Sequence, residues 1–313
     1  MSAPTGEQHE LRSESPAGEL RAIVTELGAS LRLASVGGVE IVQSYAEDAP
    51  TPSCAGVVLV PWPNRIPDGR WDDGGVERQL AITEPPKNNA IHGLLRYSPY
   101  TVAAHSDASV TLEAPVFPQL GYPYHLDTSV TYELVDDGIT VTHTLRNLGE
   151  GNAPVAVGTH PFLTIGDLSA ADLTVRVAAD THIDVDERLN PTGTTAVDGT
   201  RFDLRDGVKI GAIDLDDAWA DVHIVDGRSS HSITADDGRS VEMWADEHFG
   251  YVQVYNTDAF PGQDGAVWAV AVEPMTGPAN SFNSGAGLHR LAPGASWTVR
   301  WGIRFSGFPT QAS

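Results

Sequence analysis

Cysteine is almost absent: Cys54 is the only one in 313 residues. A single thiol excludes an internal disulfide and a cysteine-cluster metal site, and it fits a reducing compartment. Positive charge is scarce as well. Lys and Arg number 19 against 42 Asp and Glu, a formal net charge of −23. A nucleic-acid groove or an anionic membrane surface would need clustered cations, so neither partner is expected. No run of about 18 apolar residues is present, so no membrane-spanning helix is read. The stretch Met1 to Glu19 is polar and has no apolar core, so no signal peptide is read there and the expected location is the cytoplasm. Metalloprotease HExxH, Walker A, GxSxG and CxxC patterns are missing. The 11 histidines show no helix or finger spacing, so no metal is expected.

Apolar residues make up 41% and charged ones 19%, a composition that supports a sizeable globular core. Helical periodicity is not found; period-two alternation is, repeatedly. Leu126, Thr128, Val130, Tyr132 and Leu134 share one face. After Asp136-Asp137-Gly138 the pattern resumes as Ile139, Val141, His143 and Leu145, which reads as a hairpin turned at the Asp-Gly pair. Trp297, Val299, Trp301, Ile303 and Phe305 alternate as cleanly. Many short strands with Gly and Asp turns predict one large antiparallel sandwich or barrel, all-β, over residues 18–313. Residues 1–17 read as a loose tail.

Four segments depart from ordinary strand or turn sequence. In Val60-Pro61-Trp62-Pro63-Asn64-Arg65-Ile66-Pro67 the prolines make a stiff loop that fixes Asn64 and Arg65, either as binding groups or as plain surface residues. In Asn88-Asn89-Ala90-Ile91-His92-Gly93 a turn presents an imidazole, or packs one. If the run from Pro154 is a strand, Ala156, Gly158 and His160 share a small-residue face, which Pro161 ends. Likewise Ala269, Ala271 and Glu273 form a small face opposite Trp268, Val270 and Val272. Two strands that each place a titratable group beyond small residues and before a proline suggest an acid/base pair at the rim of a concave sheet. A desolvated carboxylate there would be a stronger base. The plain alternative for each is a strand-end side chain that packs or meets water.

The order PNRI, NNAIHG, GTHPF, LDDAW and VEPMTGPANSFN…GLHRLAPG, running from about Asn64 to Trp297, resembles the aldose 1-epimerase (mutarotase) family. The resemblance implies a single antiparallel β-supersandwich. It also implies that His160 is the catalytic acid and Glu273 the base, and that Arg65, His92 and Asp216 hydrogen-bond the sugar, with Asn64 beside them. Asp216 is preferred to Asp217 because the family's Asp stands three residues before an aromatic. The family often has a second histidine where this chain has Ala90-Ile91. Mutarotation moves one proton off the anomeric hydroxyl and one onto the ring oxygen, so no cofactor is expected, and the partner is a small sugar bound by a monomer or homodimer. A hexose-6-phosphate 1-epimerase, a glycosidase or lyase, and a non-catalytic sugar-binding protein remain open alternatives on this scaffold.

Overall fold

The computed structural model describes residues 3–310, apart from 167 and 264. Among these, two antiparallel sheets hold most of the chain. The larger has twelve strands. Its spatial order is Gln8–Ser15, Gly18–Thr25, Leu31–Val36, Val39–Val42, Phe162–Leu163, Gly265–Met275, Tyr251–Gly262, Asp216–Val222, Ala179–Val185 and Pro191–Ala196, with Gly158–Thr159 and Val58–Leu59 joined beside the path. The nine-stranded sheet runs Thr101–His105, Ser109–Val116, Leu126–Val135, Gly138–Asn147, Ser296–Ser306, Ser240–Asp246, Arg228–Thr234, Thr174–Arg176 and Val208–Lys209. This is the all-β antiparallel architecture that the alternation predicts. The α-helix is confined to Ser281–Ser284 among the described residues.

Alternation becomes burial directly. Leu126, Thr128, Val130, Tyr132 and Leu134 are all buried, as are Val299, Trp301 and Ile303. Together with Val270 and Val272 of the larger sheet, all of these but Thr128 belong to one contiguous apolar cluster reaching from Leu11 to Ile303. Each buried valine, leucine or isoleucine contributes about 1.5–3 kcal/mol. The hairpin forms where expected, but its turn is Asp136-Asp137. Gly138 already pairs with Val135 as the first strand residue, and a Cβ there would lie 1.9 Å from the Ile303 carbonyl oxygen, which is why the position takes glycine.

Two expectations are corrected. The tail read over residues 1–17 contains a strand instead. Gln8–Ser15 pairs with Gly18–Thr25 in full register, from Gln8 opposite Thr25 to Ser15 opposite Gly18. Leu11 and His9 face inward while Glu10, Arg12 and Glu14 face outward. One large apolar residue on the inner face is too little to mark a strand in sequence. The run from Pro154 is also not one strand. Ala153–Val155 pairs with His289–Leu291, Gly158 with Leu59 and Met275, and Phe162–Leu163 with Ala271 and Val270. Between them the Ala156 amide donates to Pro61 O (2.8 Å) and the Val157 amide to Thr276 Oγ1 (2.9 Å), so the segment changes partners twice.

Candidate active site

The proline-rich loop ends in the short strand Arg65–Pro67, paired with Asn89–Ile91. Asn64 and His92, immediately outside this ribbon, both adopt positive φ (56° and 62°) and hold each other. The His92 amide donates to Asn64 O (2.9 Å), and the Asn64 amide donates to His92 Nδ1 (3.2 Å). Nδ1 therefore acts as an acceptor, which leaves the proton of the neutral ring on Nε2. Burial, followed by the nearby His160 and the arginines, pushes the His92 pKa well down, in agreement with a neutral ring.

Gly158 is the reason this loop reaches the sheet. A Cβ on Gly158 would stand 2.6 Å from Pro63 Cβ, so the bare backbone lets Pro63 pack there. The small-residue face thus receives the loop that carries Asn64 and Arg65, and His160 follows two residues later. The His160 ring stacks on Phe162 at 5.2 Å between centroids and meets His92 edge-on at 5.6 Å.

Glu273 lies on the strand Gly265–Met275, on the face expected from parity. Val270 and Val272 enter the main core, while Ala269 and Ala271 join a separate cluster with Tyr45 and Phe162. Its Oε1 is 3.3 Å from His160 Nε2. Both groups are buried, and among the described residues Glu273 Oε2 and His160 Nδ1 have no hydrogen-bond partner. Desolvation raises the Glu273 pKa well above the usual carboxylate range, with Asp216 adding to the rise and Arg65 opposing it. Desolvation lowers His160 to about 4. Burial thus drives both members of the pair toward their uncharged forms.

Arg65 is enclosed by carboxylates. Its Nε is 3.0 Å from Glu84 Oε2, its Nη2 3.0 Å from Glu84 Oε1, and the same Nη2 is 3.3 Å from Asp216 Oδ2. These partners outweigh its desolvation and raise its pKa. Asp216 opens the strand Asp216–Val222. Its Oδ1 accepts from Gln253 Nε2 (2.7 Å), and Gln253 Oε1 accepts from Asn64 Nδ2 (2.9 Å). Asp217 points the other way, to His182 Nε2 at 2.8 Å, so strand parity gives Asp216 to the cavity.

A cavity of about 400 Å³ is lined by all six residues singled out in the sequence: Asn64, Arg65, His92, His160, Asp216 and Glu273. Sequence reasoning missed Glu84, Gln253 and Tyr97, which also line it, as does Arg96. Gln253 left a faint signal, a polar residue between Val252 and Val254 in an alternating run, and it pairs with Glu273 in register. Glu84 left none, since its partner lies nineteen residues away across a loop. Among the described residues, no group of three or more His, Cys, Asp or Glu side chains is arranged to hold a metal ion.

Comparisons with known proteins place the chain in a family. The aldose 1-epimerase family model matches residues 13–304. The chain belongs to the aldose 1-epimerase family. It is 33% identical over 280 residues to the Escherichia coli protein YihR, which is uncharacterized, covering 89% of this chain and 88% of that one. It is 32% identical over 163 residues to human galactose mutarotase, covering 50% of this chain and 46% of that protein. Among solved structures, a galactose mutarotase-like protein from Clostridium acetobutylicum superposes with a TM-score of 0.81 at 20% identity, covering 96% of this chain and 98% of the other. A putative aldose 1-epimerase from Escherichia coli gives 0.79 at 18%, covering 96% and 99%. These two share its fold.

Proposed function

We infer that the protein is an aldose 1-epimerase that interconverts the α and β anomers of a free aldohexose. The observation that carries this is the buried His160–Glu273 pair, 3.3 Å apart at the wall of a cavity lined mainly by polar side chains. In its ionised form Glu273 takes the proton of the O1 hydroxyl while protonated His160 gives one to the ring oxygen. The C1–O5 bond breaks and an aldehyde forms. Rotation about C1–C2 turns the other carbonyl face to O5. Ring closure then runs in reverse: O5 attacks C1, its proton returns to His160, and Glu273 reprotonates O1. One proton leaves and one arrives in each direction, so the balance closes without electron transfer.

The pair shares that one proton. Burial favours it on Glu273, the arrangement present after ring opening. A bound sugar supplies hydroxyl donors that replace lost water around Glu273 and favour its ionised form. Arg65, Asp216 and the His92 Nε2–H serve as hydroxyl partners, with Asn64 and Gln253 fixing Asp216 and the loop. Each member of an acid/base pair contributes on the order of 10²–10⁴-fold. Polarimetry of freshly dissolved α-galactose and α-glucose tests the reading. Relaxation much faster than the spontaneous rate at micromolar protein is expected; unchanged relaxation of these two sugars and of their 6-carboxylate forms refutes it.

A further inference from the structure

The cavity holds two guanidinium groups in opposite electrostatic settings. Arg65 faces both Glu84 and Asp216, so that end of the cavity carries excess negative charge. Arg96 lines the same cavity with a different set of neighbours. Its Nη2 donates to the Thr83 carbonyl (3.3 Å), its Nη1 lies 4.0 Å from Cys54 Sγ, and its Cζ sits 4.9 Å from the centre of the Tyr97 ring. The Tyr97 hydroxyl is in turn 3.5 Å from Cys54 Sγ, which fixes the ring behind the guanidinium. Among the described residues, no carboxylate lies within ion-pair distance of Arg96. A cation left without a counter-ion beside a binding cavity, in a protein of net charge −23, marks where a ligand supplies one.

We propose that Arg96 receives a single carboxylate borne by the sugar away from C1, and that the substrate class is the hexuronates. The proposal rests on the anomer-exchange reading above and names its substrate. A guanidinium fork matches a planar carboxylate with two parallel hydrogen bonds. A phosphate brings close to two negative charges, and beyond Arg65, which its own carboxylates neutralise, Arg96 is the one Lys or Arg in the lining among the described residues. A monoanion fits the charge available.

The test is anomer exchange of galacturonate and glucuronate against galactose and glucose, in the wild type, Arg96→Gln and Arg96→Lys. The wild type is expected to show kcat/KM at least about tenfold higher for the uronate than for the matching hexose. Arg96→Gln is expected to lower that ratio by about tenfold or more, and Arg96→Lys, which keeps the charge and loses the fork, to fall between. Hexose rates and melting temperatures from the same preparations separate lost selectivity from lost folding. A wild type that prefers the hexose, or a ratio unchanged by Arg96→Gln, overturns the proposal while leaving the epimerase reading standing. No acceleration of any of the four sugars overturns the epimerase reading and this proposal with it.

Discussion

Lowering the pH from about 7.5 to about 5.5 is expected to destabilise the fold through histidines buried in neutral form. His143, His160 and His231 are buried, and desolvation lowers their pKa values from 6.5 to about 3, about 4 and about 3. His143 Nε2 accepts from Trp301 Nε1 at 3.0 Å, a bond that the protonated ring cannot make. In this window the unfolded chain binds protons at these sites and the folded chain does not, so stability falls as pH falls. A group whose folded pKa is below 5 and whose unfolded value is 6.5 loses about 1.4 kcal/mol over that drop, largely independent of the folded value. Three such groups lose about 4 kcal/mol, and His92 adds in the same direction. Glu273 acts oppositely, because its raised pKa makes the folded state hold a proton that the unfolded chain releases above pH 4.5; over two pH units this offsets at most about 2.7 kcal/mol, so a net loss remains. Carboxylates with lowered pKa, such as Asp184, lose their contribution at lower pH, outside the window. Urea unfolding at both pH values, for the wild type and His143→Gln, measures the effect. Glutamine keeps an acceptor for Trp301 and removes the titration, so the stability lost between the two pH values is expected to shrink by about 1.4 kcal/mol, an average slope shallower by about half a proton. A midpoint that does not move between the two pH values, or an unchanged slope in His143→Gln, refutes the reasoning.

Glu84→Gln keeps the shape beside Arg65 and removes one of the two charges enclosing it. KM for the preferred sugar is expected to rise on the order of tenfold with kcat changed less than about threefold, and equal losses in both would contradict a positioning role. Gly93→Ala forces a side chain onto a residue with φ of 70° and a Cβ 2.2 Å from the Val60 carbonyl oxygen. A loss of about 2–4 kcal/mol in urea unfolding is expected, and a near-neutral change would show that the 60–64 loop yields.

The fold was legible because sheets that bury one face write a period of two into the chain, as in Leu126–Val135 and Ser296–Ser306. Gln8–Ser15 was not legible, since an edge strand with one large buried residue has almost no pattern to write. The parity of Glu273 was readable because Val270 and Val272 alternate with Ala269 and Ala271 on an unbroken strand. The approach to His160 was not, because three different partners divide that segment. The charge around Arg65 was also hidden. Glu84 and Asp216 lie 19 and 151 residues from it, and only the packed sheets bring them together.

The most direct measurement is saturation transfer between the two anomeric proton signals of an equilibrated sugar, with the wild type and Glu273→Gln at equal concentration. The amide keeps the size of the carboxyl group and cannot accept the O1 proton. It also removes a carboxyl whose burial opposes ionisation, so this variant is expected to remain folded at pH 7 with a melting temperature at or above that of the wild type. The expected result is rapid exchange with the wild type and a loss on the order of 10²-fold or more with Glu273→Gln. Exchange in a folded Glu273→Gln protein within a few-fold of the wild-type rate would contradict the assignment of Glu273 as the base.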